Sequence, residues 1–363
     1  VNWNLGNVSV NYKLNERTKL NLTAFGLIAG RDALGVLAPP NRPDDTSAYR
    51  NLLNDVYKNH GAELRILHRY TLLKKSSHFL AGARYYKGRT FRKQGDAGKG
   101  THADFRFINP NDLEHSSYLF PSTNYALFAE NIFQLSQRWS LTPGLRYEYI
   151  HTASDGYYRL FNRDGSGQVI LDKRIYDNQA NQRDFILAGI GTQYKLSSAV
   201  EVYANFSQNY RSINFNDMRV VNPNFQVDPL LKDENGYTAD LGFRGAFKDL
   251  LYFDIGGFFL KYNNRIGTDL RVDSATFQVI RFRTNIADSR NMGVEAVAEL
   301  DWMKLVNKEN KHRLSTFVNI SYINAIYLSD KKQFSGKKVE FVPDMIFRTG
   351  LTYGFRQFKF TCQ

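Results

Sequence analysis

The side chains best able to do chemistry in this chain are its arginines. Arg84 with Tyr86, then Arg92, and Asn209 with Arg211, set hydrogen-bonding groups at even spacings. On an extended backbone such spacings put side chains on one face. A guanidinium forks onto a carboxylate through two N–H bonds, so convergent arginines suit a small multivalent anion. Lys93, Arg106 and Arg219 lie in polar segments and would add charge to such a site. Each of these residues also has a plainer reading as an internal salt bridge, a contact to another domain, or a solvated loop charge.

No catalytic set accompanies them. The seven His residues are scattered, without zinc-ligand spacing. Asp164-Gly165-Ser166-Gly167 reads as a turn, because nothing beside it supplies further calcium ligands or a helix N-terminus. Glu130 and Glu148 fit a structural charge network with Arg146 better than an acid–base pair. Cys362 is the only cysteine, so no internal disulfide and no cysteine metal site can form. Neither enzymatic activity nor a bound cofactor or metal is expected.

The elements that must position the arginines are strands. From Tyr237 to Tyr262 two alternating runs flank a polar turn at Lys248-Asp249. Tyr237, Ala239, Leu241 and Phe243 share one face, and Thr238, Asp240, Gly242 and Arg244 the other. About ten residues of tilted strand cross a bilayer, and apolar-out, polar-in alternation is the pattern of a membrane barrel. Mean hydropathy is −0.45 and no apolar run approaches 18 residues, which excludes helical spans but not strands. The aromatic content (22 Tyr, 27 Phe) suits interfacial girdles. The net charge of +13 suits an anionic membrane surface or an anion-attracting lumen. Nucleic acid is disfavoured, since the basic residues form no blocks.

Fourteen such runs can be marked, joined as seven short-turned hairpins separated by six long connections, near 28–58, 91–121, 151–182, 212–235, 264–290 and before Phe347. The fifth is expected to hold a small hairpin, 268–272 against 277–283. Val202, Ala204, Phe206 and Tyr210 form one apolar set. Short turns on one side and long loops on the other mark outer-membrane barrels. The charges Arg65, Arg84, Arg146, Glu148, Asp240, Arg244, Asp254, Glu295 and Glu299 fall opposite the apolar sets. The fold class is therefore all-β, a transmembrane antiparallel β-barrel.

Ordered motifs add a family resemblance. Leu141-Thr142-Pro143-Gly144-Leu145-Arg146-Tyr147-Glu148, preceded by Tyr125-Ala126-Leu127-Phe128-Ala129-Glu130, resembles paired strands of TonB-dependent outer-membrane receptors. Val202 to Ser207 with Tyr210-Arg211, then Leu230-Leu231-Lys232, Glu234 and Tyr237 to Gly242, and Asn291 with Gly293-Val294-Glu295, follow in that family's order. Gly82-Ala83-Arg84-Tyr85-Tyr86 looks most like ferric dicitrate receptors. The resemblance implies an outer-membrane barrel of 22 strands around a plug, of which residues 1–363 are expected to be about 14 strands, with plug, TonB box and terminal strands outside them. It implies import of an anionic ferric chelate such as ferric citrate or another siderophore. Energy would come through the plug from the TonB–ExbB–ExbD complex, and the protein would be a monomer among outer-membrane lipid and lipopolysaccharide. Alternatives are import of a glycan, peptide or cobalamin, or a diffusion porin.

Overall fold

The computed structural model describes residues 1–36, 47–163, 166, 168–214, 217, 225–248, 250–272, 279–306, 311–329 and 333–363. Arg219 and most of the 164–167 turn lie outside these residues. The strands are β1 (Asn2–Lys13), β2 (Thr18–Gly35), β3 (Arg50–Leu72), β4 (Lys75–Ala97), β5 (Ser116–Gln134), β6 (Trp139–Arg163), β7 (Val169–Tyr176) and β8 (Gln179–Lys195). They continue as β9 (Val200–Arg211), β10 (Phe225–Val227), β11 (Glu234–Phe247), β12 (Leu251–Val272), β13 (Val279–Asp301), β14 (His312–Leu328), β15 (Met345–Phe355) and β16 (Phe358–Cys362), and a short helix, α1 (Trp302–Val306), lies between β13 and β14. Fourteen strands pair in chain order along one antiparallel path from β1 to β16, while β7 adds to β6 and β10 lies parallel to β13. Among the described residues no helix is long and apolar enough to cross a membrane.

The strands are longer and the loops shorter than alternation suggested. β3 and β4 pair from Arg50↔Ala97 to Leu72↔Lys75, so the expected 28–58 and 91–121 loops contract to 36–49 and 98–115. The 151–182 loop is mostly the tops of β6 and β8 with β7 between them. The 268–272 and 279–283 segments do pair, as the upper part of β12–β13 rather than as a separate hairpin. These upper segments mix polar and apolar residues on both faces, which hides a strand from a search for alternating hydrophobicity. The β3–β4 turn is Leu73-Lys74, and both residues have positive φ (49° and 62°).

The outward belt is apolar. Leu127, Leu145, Ile186 and Leu241 stand on it, each at least 60% exposed, which is tolerable in lipid and not in water. Rings bound the belt. On the loop side Tyr85, Tyr125 and Tyr149 pack as tilted rings across three strands with centroids 5.2 and 5.9 Å apart. On the turn side Trp139 and Phe247 stand ten positions along the chain from Tyr149 and Tyr237. Ten tilted strand residues rise about 25 Å, the height of a barrel's apolar band.

The inward face repeats one packing unit. The Phe25 ring lies over Gly61 and carries the Arg84 guanidinium 5.3 Å from its centroid; the Phe128 ring lies over Gly82 and carries Arg146, also at 5.3 Å. A Cβ on Gly82 would stand 2.3 Å from the Phe128 ring, so the glycine is what lets the ring lie flat on the sheet. The ring in turn fixes the arginine above it.

Candidate ligand-binding site

Strands β3 to β6, β8 and the top of β9 surround a cavity of about 550 Å³. Arg84 and Arg146, seated on their rings, face it together with Tyr86, Asn124, Glu148 and Phe185. Glu148 accepts hydrogen bonds from Arg146 Nε and Asn124 Nδ2, both at 2.5 Å. Arg84 is held more loosely, 3.6 Å from Glu63, whose other oxygen meets Arg65. Arg84 is thus the more available cation at this wall.

Tyr210 also joins the cavity, which corrects its placement among the outward apolar residues. β8 and β9 pair only from Gly189↔Ser207 to Lys195↔Glu201. Above that, the Gln208 side chain accepts the Ala188 N–H (2.9 Å) in place of a backbone partner. Without a β8 partner, though still paired with Asn235 of β11, Tyr210 stacks on Phe185 with centroids 3.8 Å apart and donates its hydroxyl to Asp233.

Farther from the turns, Arg92 meets a partner the sequence had not suggested. Asp55 is fully buried and lies in one cross-strand row between Arg31 and Arg92. Arg92 grips it with two bonds (2.7 and 3.0 Å), Arg31 with one, and Tyr57 donates its hydroxyl at 3.0 Å. Burial alone would raise the Asp55 carboxyl, but the bonds and charge of Arg92, then the bonds of Arg31 and Tyr57, outweigh it and hold its pKa below the ordinary value. The same burial, then the Asp55 charge, pushes the Tyr57 hydroxyl up.

A third cluster gathers Arg211. It bonds Glu234 and Asp217, both at 2.8 Å, and the buried Asp217 also takes Arg283 at 2.6 Å. Asp233 accepts from Arg183, Tyr210 and the Ile213 N–H, and Asp228 from Thr284 at 2.6 Å. The Thr284 bond, against some desolvation, and the Leu230 N–H hold Asp228 below its ordinary pKa. Acidic residues thus pin the described parts of the 212–233 connection to the wall.

The candidate residues therefore do not form one constellation. Arg84 and Tyr86 share the cavity, Arg92 belongs to the Asp55 cluster, and Arg211 to the Asp217 cluster. Asn209 donates to Thr238 at 3.3 Å beside it. Lys93 stands on the outward face, exposed, opposite to Arg92 in the alternation. Arg106 is exposed in a loop and paired with Asp104 at 2.8 Å. Asp55 and Arg31 were hidden inside what alternation made a loop; their one signal was that Arg31, Asp55 and Arg92 fall within reach once the β2–β3–β4 register is extended. Among the described residues no group of three or more His, Cys, Asp or Glu is placed to hold a metal ion.

The family model of the TonB dependent receptor-like β-barrel matches residues 1–361. The chain belongs to the TonB-dependent receptor β-barrel family. That family comprises receptors rather than enzymes, in line with the lack of a catalytic set in the sequence. Solved structures with this fold include the ferric citrate transporter FecA in its unliganded form, at 16% identity and a TM-score of 0.70, covering 97% of this chain and 46% of FecA. The ferric yersiniabactin uptake receptor FyuA from Yersinia pestis matches at 14% and 0.71, covering 96% of this chain and 46% of FyuA. The copper transporter OprC matches at 15% and 0.70, covering 98% and 52%. The receptor barrel described here therefore spans about half the length of these proteins. No curated protein sequence matches it.

Proposed function

We propose that this receptor barrel is part of the wall of an outer-membrane importer for an anionic iron chelate, ferric citrate or another carboxylate siderophore. The observation that supports this reading is the cavity between Arg84 and Arg146. Two guanidiniums face one space on the inner wall, and the nearby carboxylates leave Arg84 only a 3.6 Å contact to Glu63. A polycarboxylate entering from the loop side would meet forked donors at Arg84 and Arg146 and hydroxyls at Tyr86 and Tyr210. The substrates of the structural neighbours, ferric citrate for FecA and ferric yersiniabactin for FyuA, agree with a chelate as cargo.

In this reading the barrel performs no covalent step and needs no cofactor. The chelate is released inward when a plug is pulled by the TonB–ExbB–ExbD complex, and the receptor works as a monomer. The test is equilibrium binding of ferric citrate and other ferric siderophores to the full-length receptor and to Arg84→Ala and Arg146→Ala. Loss of one charge-assisted contact should weaken binding of the true ligand about tenfold to a hundredfold. Unchanged affinity in both variants would remove the cavity from the binding site. Open, unplugged conductance of the full-length protein would favour a diffusion porin instead.

A further inference from the structure

The outward face carries a feature that chelate transport does not use. Directly beyond Tyr85 of the girdle, on the same face of β4, come Lys87, Arg89, Phe91 and Lys93. β3 presents His60 beside Lys87 and Lys58 beside Arg89, as register partners. Two adjacent strands thus bear a block of basic side chains, with neighbours about 5 Å apart across the strands and about 7 Å apart along them. Lys58, Arg89 and Lys93 are exposed, and the Lys58 ammonium lies 5.8 Å from the Phe91 ring centroid. None of Lys58, Lys87, Arg89 or Lys93 has an ion-pair partner among the described residues. The carboxylates of these strands, Asp55, Glu63 and Asp96, fall on the opposite face in the alternation, and the outward Asp32 of β2 is bonded to Asn54 at 2.6 Å.

The position of this block gives its ligand. His60 packs on Tyr85 (6.4 Å between centroids), and Tyr85 begins the ring row of the girdle. Below it the outward face of the same two strands is Ala62, Leu64, Ile66, Ala83, Ala81 and Phe79. The cations therefore stand at headgroup height, immediately above a surface suited to acyl chains. A solvated charged rim would carry both signs; this face carries one sign over two neighbouring strands.

We propose that Lys58, Lys87 and Arg89 form a binding site for the phosphate groups of a phosphorylated lipid in the leaflet on the loop side. The headgroup phosphates sit between the two strands, and the acyl chains lie on the Ala62–Leu64 and Ala81–Ala83 surface. The proposal rests on the reading of the apolar belt as lipid-facing, and it is independent of which cargo is imported. Lys93, farther from the girdle, reaches sugars or a second phosphate of a larger headgroup.

The test uses the full-length receptor reconstituted in phosphatidylcholine vesicles containing a bisphosphorylated, multiply acylated glucosamine disaccharide. Lipid retained on the protein after detergent extraction is counted by native mass spectrometry. Each basic side chain near an anionic surface contributes about fivefold, so Lys87→Ala/Arg89→Ala should retain this lipid roughly 25-fold less tightly. A double variant of equal charge change at the turn side, Lys19→Ala/Lys311→Ala, should retain it like the parent. Equal retention by parent and Lys87→Ala/Arg89→Ala would overturn the proposal. So would equal retention of the dephosphorylated lipid, or full displacement by millimolar inorganic phosphate, which would mark a soluble-anion site. A parent receptor that does not insert into vesicles would instead overturn the membrane reading itself.

Discussion

Replacing Asp55 by Asn should loosen the upper barrel wall without unfolding its membrane belt. Asp55 is fully buried and neutralises Arg31 and Arg92 together. Two guanidiniums that share one carboxylate lie about 5 Å apart, and at an effective dielectric constant near 20 they repel by about 3 kcal/mol. The Arg31 side chain is 43% exposed and can turn to water, which about halves that figure. Arg92 is 13% exposed and cannot, so its two bonds to Asp55 add about 1.5 kcal/mol or more when lost. The sum, about 3 kcal/mol, agrees with the usual cost of breaking a buried pair. The upper strands can open while the belt stays paired, so the cost should appear as local opening. Hydrogen exchange of peptides covering 50–58 and 88–96 in the reconstituted receptor should accelerate about a hundredfold, with 125–134 unchanged. Asp55→Asn/Arg92→Leu removes the repelling pair and should recover about half of the protection. Exchange within threefold of the parent in Asp55→Asn, or faster exchange in the double variant, would refute this account of the cluster.

The same carboxyl sets a pH dependence. Its folded pKa lies below the ordinary 3.8, so its contribution is complete above about pH 4 and is lost as pH falls through the lowered value. Exchange protection of 50–58, corrected for intrinsic rates, should be flat from pH 7 to 5 and fall below about pH 4. At the β3–β4 turn, Leu73 and Lys74 both hold positive φ, where Asn and Gly are favoured. Leu73→Asn/Lys74→Gly should raise the stability of the refolded barrel by about 1 kcal/mol, measured by denaturant titration of tryptophan fluorescence. Gly82→Val would drive a branched side chain into the Phe128 ring and the Leu64 carbonyl, 2.3 and 2.7 Å from a Cβ. It should cost about 2 kcal/mol in the same titration and, by lifting Phe128, weaken ligand binding through Arg146. Asp217→Asn should release Arg211 and Arg283 and speed trypsin cleavage in 212–233 about tenfold.

The membrane belt was legible in the sequence because lipid imposes one rule on every outward position there. Tyr237, Ala239, Leu241 and Phe243 obey it, and the hairpin they open appears in the structure with β11 and β12 paired from Asn235↔Asn263 to Phe247↔Leu251. The turn proved to be Lys248 to Leu250, with Leu250 N–H donating to the Phe247 carbonyl at 2.7 Å, of which Asp249 lies outside the described residues. Above the girdle the rule lapses. Positions 50–58 and 89–97 stand above the acyl chains and face polar surroundings or other side chains on both surfaces, so period-2 alternation disappears while backbone pairing continues. Strand length was therefore underestimated wherever the wall rises out of lipid.

That difference also explains what could be read of the site. Alternation tells which face a residue occupies, and it placed Arg84 and Arg146 inward correctly. It does not tell which inward residue lies beside which, because that needs the register across a third strand. Arg92 illustrates the point: its partner Asp55 is 37 positions away, in a segment whose apolar residues Leu52, Leu53 and Val56 do not alternate. Once register is known, charge balance separates cations with different roles. Arg92 and Arg211 are committed to buried carboxylates and hold the wall together. Arg84, seated on the Phe25 ring, comes no nearer than 3.6 Å to a carboxylate among the described residues, which is what the proposed ligand role draws on. Lys58, Lys87 and Arg89 have no carboxylate partner among the described residues and stand on the outward face. A net charge of +13 therefore resolves into structural pairs, a small cationic cavity and an outward basic block. Salt should weaken the outward block most, since exposed charges are screened and buried pairs are not.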